Sequence, residues 1–139
     1  MASCFICSNG PSCLILGLLD RTVCALVWSG WVPQVAVLAH GAVSAFLTHC
    51  GWGSTIESLV LGHPLVMLSF IVDQGLIART MAERGVGVEV ARDESDGSFG
   101  RDAVAAAVRR VMVEEEGKVF ASDAEKMEVF GDQRRQDRL

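Results

Sequence analysis

Most of the residues that could do chemistry in this chain lie in one stretch, Phe46-Leu-Thr-His-Cys-Gly-Trp-Gly-Ser-Thr-Ile-Glu57. It reads as a strand, a glycine turn and the start of a helix. Where a parallel strand hands over to a helix, the free N–H groups of the first helical turn carry a partial positive charge that suits a phosphate. Gly51 and Gly53 let the backbone approach closely, and His49 and the Ser54 hydroxyl can each donate to a phosphate oxygen. These residue types point to a nucleotide or phosphate site. The same letters also have a plainer use. Ser54-Thr-Ile-Glu57 fits a capping box, in which Ser and Glu only satisfy helix donors, and spacing alone favours that use. Likewise, His49 could simply close a strand and Trp52 could pack in a core. His40 and His63 sit beside glycine and proline and read as ordinary turn histidines. Trp31, after a Ser-Gly turn, reads as packing, and Asp73-Gln74 as the N-cap of a helix.

The elements that must position these residues alternate along the chain. Ala25–Trp28 is a short apolar run of buried-strand character. Pro33 opens a short helix over Gln34–Ala39. Val43–Thr48 is strand-like, and Ser54–Leu61 is a helix stopped by Gly62 and Pro64. Leu65–Leu68 is a second continuous apolar strand. A helix over Gln74–Arg84 ends at Gly85, and Gly87–Val90 is another strand. Strands alternating with helices imply an α/β fold, a parallel sheet with helices on both faces. Beyond the acidic loop Arg92–Ser98, Arg101–Val113 is an amphipathic helix. Glu114-Glu-Glu-Gly117 breaks or bends it, and Lys118–Phe130 follows with Phe120, Ala124 and Met127 facing inward. Asp132–Leu139 is a charged tail expected to fray. The first 24 residues show no clean period, apart from a turn at Asn9-Gly10-Pro11.

Composition narrows the partners. The 139 residues carry a net charge of −5, which disfavours nucleic acid and anionic membrane surfaces. No apolar run approaches the roughly 18 residues of a membrane helix. The charge is uneven: of 29 charged side chains, residues 1–72 hold only Asp20, Arg21 and Glu57. So little charge means that this half is largely buried or faces something other than water. Cys4, Cys7, Cys13, Cys24 and Cys50 are odd in number and irregular in spacing, which suits reduced cytoplasmic thiols. Cys4-x-x-Cys7 lacks the second pair that a zinc site needs, so no metal is expected.

From Trp31 to Gln74 the chain runs 74 − 31 + 1 = 44 residues. This segment holds Trp31-Val-Pro-Gln34, His40, Phe46, His49-Cys-Gly-Trp-Gly-Ser54, Glu57, Gly62, Pro64 and Asp73-Gln74. It strongly resembles the signature box of plant family-1 UDP-sugar-dependent glycosyltransferases, and the likeness extends from about Ala25 to Arg138. The resemblance implies a Rossmann-like domain, the C-terminal half of the two-domain architecture called GT-B. It also implies a role for each matching position. Trp31 stacks on uracil and the Val32 backbone reads the uracil edge. Gln34 and Glu57 bind ribose. His49, Ser54 and the turn backbone at Gly51 and Gly53 bind the diphosphate. Trp52, Asp73 and Gln74 face the sugar, and the terminal Gln suggests UDP-glucose. Two positions depart from the family pattern: Gly53 stands where Asn is usual, and Ser69 where a proline is usual.

In such enzymes an acceptor hydroxyl loses its proton to a His base and attacks the anomeric carbon with inversion, and UDP leaves without help from a metal. The acceptor, a small lipophilic molecule, binds mainly to the other domain, which also carries the base His and its Asp partner. Neither has a counterpart here, so no catalytic residue is assigned. On this basis residues 1–24 are an atypical segment, 25–131 a donor-binding domain and 132–139 a tail. The whole is expected to be a truncated, donor-binding form of a UDP-glycosyltransferase that needs no cofactor beyond the UDP-sugar substrate. Residues 73–99 are most similar to members that add a second sugar to an existing glycoside. The alternatives are a non-catalytic nucleotide-sugar-binding module and a fragment without function of its own.

Overall fold

A computed structural model describes residues 2–8, 23–29 and 31–136, and the side chains of 31–71 and 73–127. The Asn9-Gly10-Pro11 turn, the Cys4 and Cys7 side chains and the last three residues lie outside that description.

Five strands form one sheet in the order β2-β1-β3-β4-β5. They are β1 (Ala2–Ser8), β2 (Val23–Ser29), β3 (Val43–Thr48), β4 (Leu65–Met67) and β5 (Gly87–Glu89). β3, β4 and β5 run parallel, as the alternation of elements requires. β1 is antiparallel to both its neighbours, β2 and β3, so the sheet is parallel on one side and antiparallel on the other. The lack of a period before residue 24 conceals this strand. Cys4-Phe-Ile-Cys7 is continuously apolar, and such a run fits a strand or a helix equally well.

The helices are α1 (Gln34–Leu38), α2 (Trp52–Val60), α3 (Val72–Glu83), α4 (Arg101–Met112) and α5 (Glu115–Gln136). Three of the boundaries that differ from the sequence expectation bear on the site or the tail. α2 begins at Trp52, with Gly51 as N-cap, so Ser54 is its third residue and not its cap. The Ser54–Glu57 capping box therefore does not form. α3 begins at Val72 with Ile71 at the N-cap, so Asp73 and Gln74 lie inside its first turn. α5 continues through Gln136, where a frayed tail was expected. Its final residues, Asp132-Gln-Arg-Arg-Gln136, contain no proline and are mostly good helix formers.

Side chains on β3 and β4 alternate between two cores. Val43, Phe46, Leu65 and Met67 pack with Leu38, Leu59, Ala78, Met81 and Val86 on the face covered by α1, α2 and α3. Ala45 and Val66 pack with Val88, Val90, Ala107, Val108 and Val111 on the face covered by α4. This is the two-faced burial of a parallel sheet, and it accounts for much of the missing charge. α5 reaches both cores. Phe120 packs against the α4 side, and Ala124 and Met127 against the other. Geometry dictates glycine at Gly85 and Gly117, among others. Gly85 ends α3 at φ +70°, the left-handed C-cap conformation. A Cβ on Gly117 would run into the Val111 carbonyl, so only glycine lets α5 start this close to α4.

Candidate functional site

The carboxyl ends of β3 and β4 lie side by side, and the Leu68 N–H donates to the Thr48 carbonyl at 2.9 Å. From these ends the chain turns into α2 and α3, so the first turns of both helices open on one rim of the sheet. That rim is where open parallel sheets bind ligands.

The turn from β3 into α2 is sharp. Cys50 adopts φ +67°, left-handed for a residue that is not glycine. Its N–H is held by the Thr48 Oγ1 at 3.1 Å. The Cys50 thiol is fully buried. Burial, and secondarily the Glu89 carboxylate, push its pKa up to about 12, against a smaller opposing hydrogen bond from Leu68. A thiol held neutral in this way is no nucleophile. Its function is to pack under the turn.

At α2 the first N–H to find a partner inside the helix is that of Thr55, which donates to the Gly51 carbonyl at 3.0 Å. The N–H groups of Trp52, Gly53 and Ser54 precede it and belong to the helix's unsatisfied first turn. The half-buried His49 ring lies over this turn. A Cβ built on Gly51 would sit 2.8 Å from the His49 Nε2. Among the described residues no hydrogen bond engages the His49 ring, so its nitrogens are available to a ligand.

Three expected binding residues meet directly. The Gln34 Nε2 donates to the Ser54 Oγ at 3.1 Å and to the Glu57 Oε2 at 2.8 Å. Both protons of that amide are used, which fixes its orientation. Ser54 accepts here, so its own O–H remains free to donate. The second Glu57 oxygen has no partner among the described residues. A carboxylate, a hydroxyl and an amide thus form a polar cluster beside the α2 N-terminus, although they come from elements about twenty residues apart. Val32, just before α1, is half-buried and packs on the core. Trp31 is 86% exposed, which excludes the packing role that its position after a turn suggests. Its ring is a free flat surface close in sequence to Gln34.

At the other end of the rim, the Gln74 side chain is buried. Its Oε1 accepts from the N–H groups of Phe70 at 3.0 Å and Ile71 at 3.3 Å. With the oxygen spent on the loop, the Nε2 is left as a pure donor without a partner among the described residues. Asp73 beside it is exposed. Trp52 is 58% exposed, and its ring heads a groove of about 850 Å³ between α2, α3 and α5, lined also by Ile56, Leu76, Thr80 and Met127. It is therefore not a core residue. His63 donates to the Leu38 carbonyl at 2.5 Å, and the His40 Nδ1 accepts from the Ala42 N–H at 3.2 Å, so both are loop histidines in structural roles.

One residue of this rim has no motif to announce it. Arg92 opens the acidic loop after β5, and reaches back to the loop before α3. Its only sequence signal is that it is a lone cation ahead of Asp93-Glu-Ser-Asp96. Among the described residues no three His, Cys, Asp or Glu side chains gather as a metal site, and no helix is long and apolar enough to cross a membrane.

Known proteins resemble this chain in sequence and fold. The family model for UDP-glucoronosyl and UDP-glucosyl transferase matches residues 18–122, well over half of the chain. UDP-glycosyltransferase 91B1 of Arabidopsis thaliana is 45% identical over 114 residues, covering 81% of this chain and 24% of its own length. Soyasaponin III rhamnosyltransferase of Glycine max is 46% identical, covering 73% of this chain and 22% of its own length. The crystal structure of Os79 from O. sativa in complex with UDP superposes with a TM-score of 0.68 at 37% identity, over 70% of this chain and 22% of that one. The chain thus spans about a quarter of the length of the curated relatives it matches.

Proposed function

Since the chain belongs to the plant family-1 UDP-glycosyltransferases, with the GT-B-type α/β fold of that family, we propose that the rim at β3 and β4 is the donor site for a UDP-sugar. The observation that carries this reading is the Gln34–Ser54–Glu57 cluster beside the free first turn of α2, with an unengaged His49 over it. The geometry supports the following division of labour. The exposed Trp31 ring stacks on uracil, and the Val32 backbone meets the uracil edge. The free Glu57 oxygen accepts from a ribose hydroxyl, and Gln34 holds that carboxylate in place. The α2 N–H groups at Trp52, Gly53 and Ser54, the Ser54 hydroxyl and His49 surround the diphosphate. Each contributes a donor to oxygens that gain charge as UDP departs. The absence of a side chain at Gly51 leaves room for the His49 ring. Gln74 donates to a sugar hydroxyl, Asp73 accepts from one, and Trp52 borders the sugar at the head of α2.

In the whole reaction these residues serve the leaving group. A hexosyl unit, glucose on the strength of the terminal Gln74, passes from UDP to a hydroxyl of a small lipophilic acceptor such as a flavonoid or terpenoid glycoside. We place that reaction in the cytoplasm, which suits the irregular cysteines. No residue of this chain is assigned as the base.

Calorimetry with UDP tests the donor site. Saturable binding is expected, and Glu57→Ala should weaken it by about ten- to a hundredfold, the loss of hydrogen bonds to a charged group. Trp31→Ala should weaken it as well. Binding of UDP that survives both substitutions would refute this assignment.

A further inference from the structure

Ser69 stands where the family pattern has a proline, so the loop from β4 to α3 lacks the stiffening a proline ring would give. A second device holds it. The Arg92 guanidinium donates through Nη2 to the Ser69 carbonyl, and through Nη1 to the Gly97 carbonyl at 2.8 Å. Its Cζ lies 6.0 Å from the Phe70 ring centre and 5.2 Å from that of Phe99. Phe70 and Phe99 meet edge to face at 6.0 Å. Arg92 is therefore the centre of a clasp that fastens Ser69 and Phe70 to the loop after β5. That loop is itself shaped by short local hydrogen bonds. The Ser95 N–H donates to the Asp93 Oδ1 at 2.8 Å, and the Ser98 N–H to the Asp96 Oδ1 at 2.8 Å.

The clasp bears directly on Gln74. The two N–H groups that bind the Gln74 Oε1 belong to Phe70 and Ile71, the residues that follow Ser69. If those N–H groups shift, the amide loses the contact that leaves its Nε2 free. We infer that Arg92 is a positioning residue for the sugar end of the donor site: it fixes the Ser69–Ile71 loop and, through it, the orientation of the Gln74 amide. This rests on the donor-site reading above. Arg92 lies far along the chain from the uracil and diphosphate residues and touches none of them, so its influence is confined to the sugar.

The test separates the two readings. The full chain, Arg92→Ala and Arg92→Lys are titrated with UDP and with UDP-glucose by calorimetry, and amide exchange is followed at Phe70 and Ile71 without ligand. Arg92→Ala should bind UDP within twofold of the unaltered chain and UDP-glucose about fivefold more weakly, the size of one exposed ring contact or hydrogen bond. Exchange at Phe70 and Ile71 should rise by a similar factor, with β3 unchanged. Arg92→Lys should not restore the ratio, because an ammonium cannot bridge two carbonyls while stacking on two rings. An equal weakening for UDP and UDP-glucose would overturn the inference. So would a full rescue by lysine, or unchanged exchange at Phe70 and Ile71. If the unaltered chain bound no UDP, the donor-site reading would fail and the sugar role of Arg92 with it. The exchange measurement would then still decide whether Arg92 fastens the loop.

Discussion

Adding one methyl group at Gly51 tests the geometry of the diphosphate end. Gly51 sits at φ −62° and ψ 138°, extended backbone that alanine adopts without strain. Its added Cβ would lie 2.8 Å from the His49 Nε2, whereas ordinary contact begins at 3.4 Å. The ring must therefore retreat by 3.4 − 2.8 = 0.6 Å. Because it is the end of a side chain that moves and not the backbone, the fold should tolerate the change at the modest cost of a poorer N-cap, about 1 kcal/mol or less. A hydrogen bond to a phosphate does not survive such a displacement intact. A hydrogen bond to a charged group contributes about 1.5–3 kcal/mol, so Gly51→Ala should weaken UDP binding by roughly ten- to 150-fold. The assay is calorimetry at fixed ionic strength on four proteins: the unaltered chain, Gly51→Ala, His49→Ala and the double variant. If the methyl group acts through the ring, its effect should vanish in the His49→Ala background. A Gly51→Ala protein that binds UDP within twofold of the unaltered chain would refute the reasoning. A penalty just as large without the histidine would also refute it.

Three further outcomes follow from the fold. The Cys50 thiol titrates at about 12 when folded, against 9.0 for an unperturbed thiol, so between those values the unfolded chain holds fewer protons. Its stabilising contribution is complete below pH 9 and is lost as pH rises toward 12, by about 1.4 kcal/mol per unit. Urea unfolding at several pH values should show that slope and Cys50→Ala should lack it; parallel slopes would count against it. Gly117→Ala drives a Cβ into the Val111 carbonyl and should destabilise by about 1–3 kcal/mol, measured as a lower urea midpoint. An unchanged midpoint would mean that α4 and α5 are not so closely apposed. The Thr55 hydroxyl is buried without a hydrogen-bond partner among the described residues, so Thr55→Val should be neutral or stabilising. A loss of more than about 1 kcal/mol would reveal a missing partner.

Much of this architecture could be read from residue order. Val43–Thr48 coincides with β3, and the alternation of apolar strands and helices gives the parallel part of the sheet. The handover from β3 to a helix through glycine was visible in residue types. Its capping was not, because Ser54-x-x-Glu57 satisfies the capping pattern while Gly51 takes the cap and Ser54 turns to Gln34. The pairing of Gln34 with Glu57 joins residues 23 apart, and no local pattern reports on such a contact. β1 was hidden because an apolar run has no period, and its antiparallel place between β2 and β3 is a property of the whole sheet. Arg92 was hidden for a similar reason. A single cation at the head of an acidic loop looks solvated, and its partners Ser69 and Phe70 lie more than twenty residues earlier.

α5 packs on both α2 and α4, and its Phe120 and Met127 touch cores on opposite faces of the sheet. A layered domain of this kind would otherwise be free to shed one layer and keep the other, giving a staged melt. A single helix that closes both layers forbids that separation, because lifting α5 uncovers both cores together. The two faces should therefore open as one cooperative unit, with the slowest-exchanging amides of α2 and α4 reporting the same opening free energy.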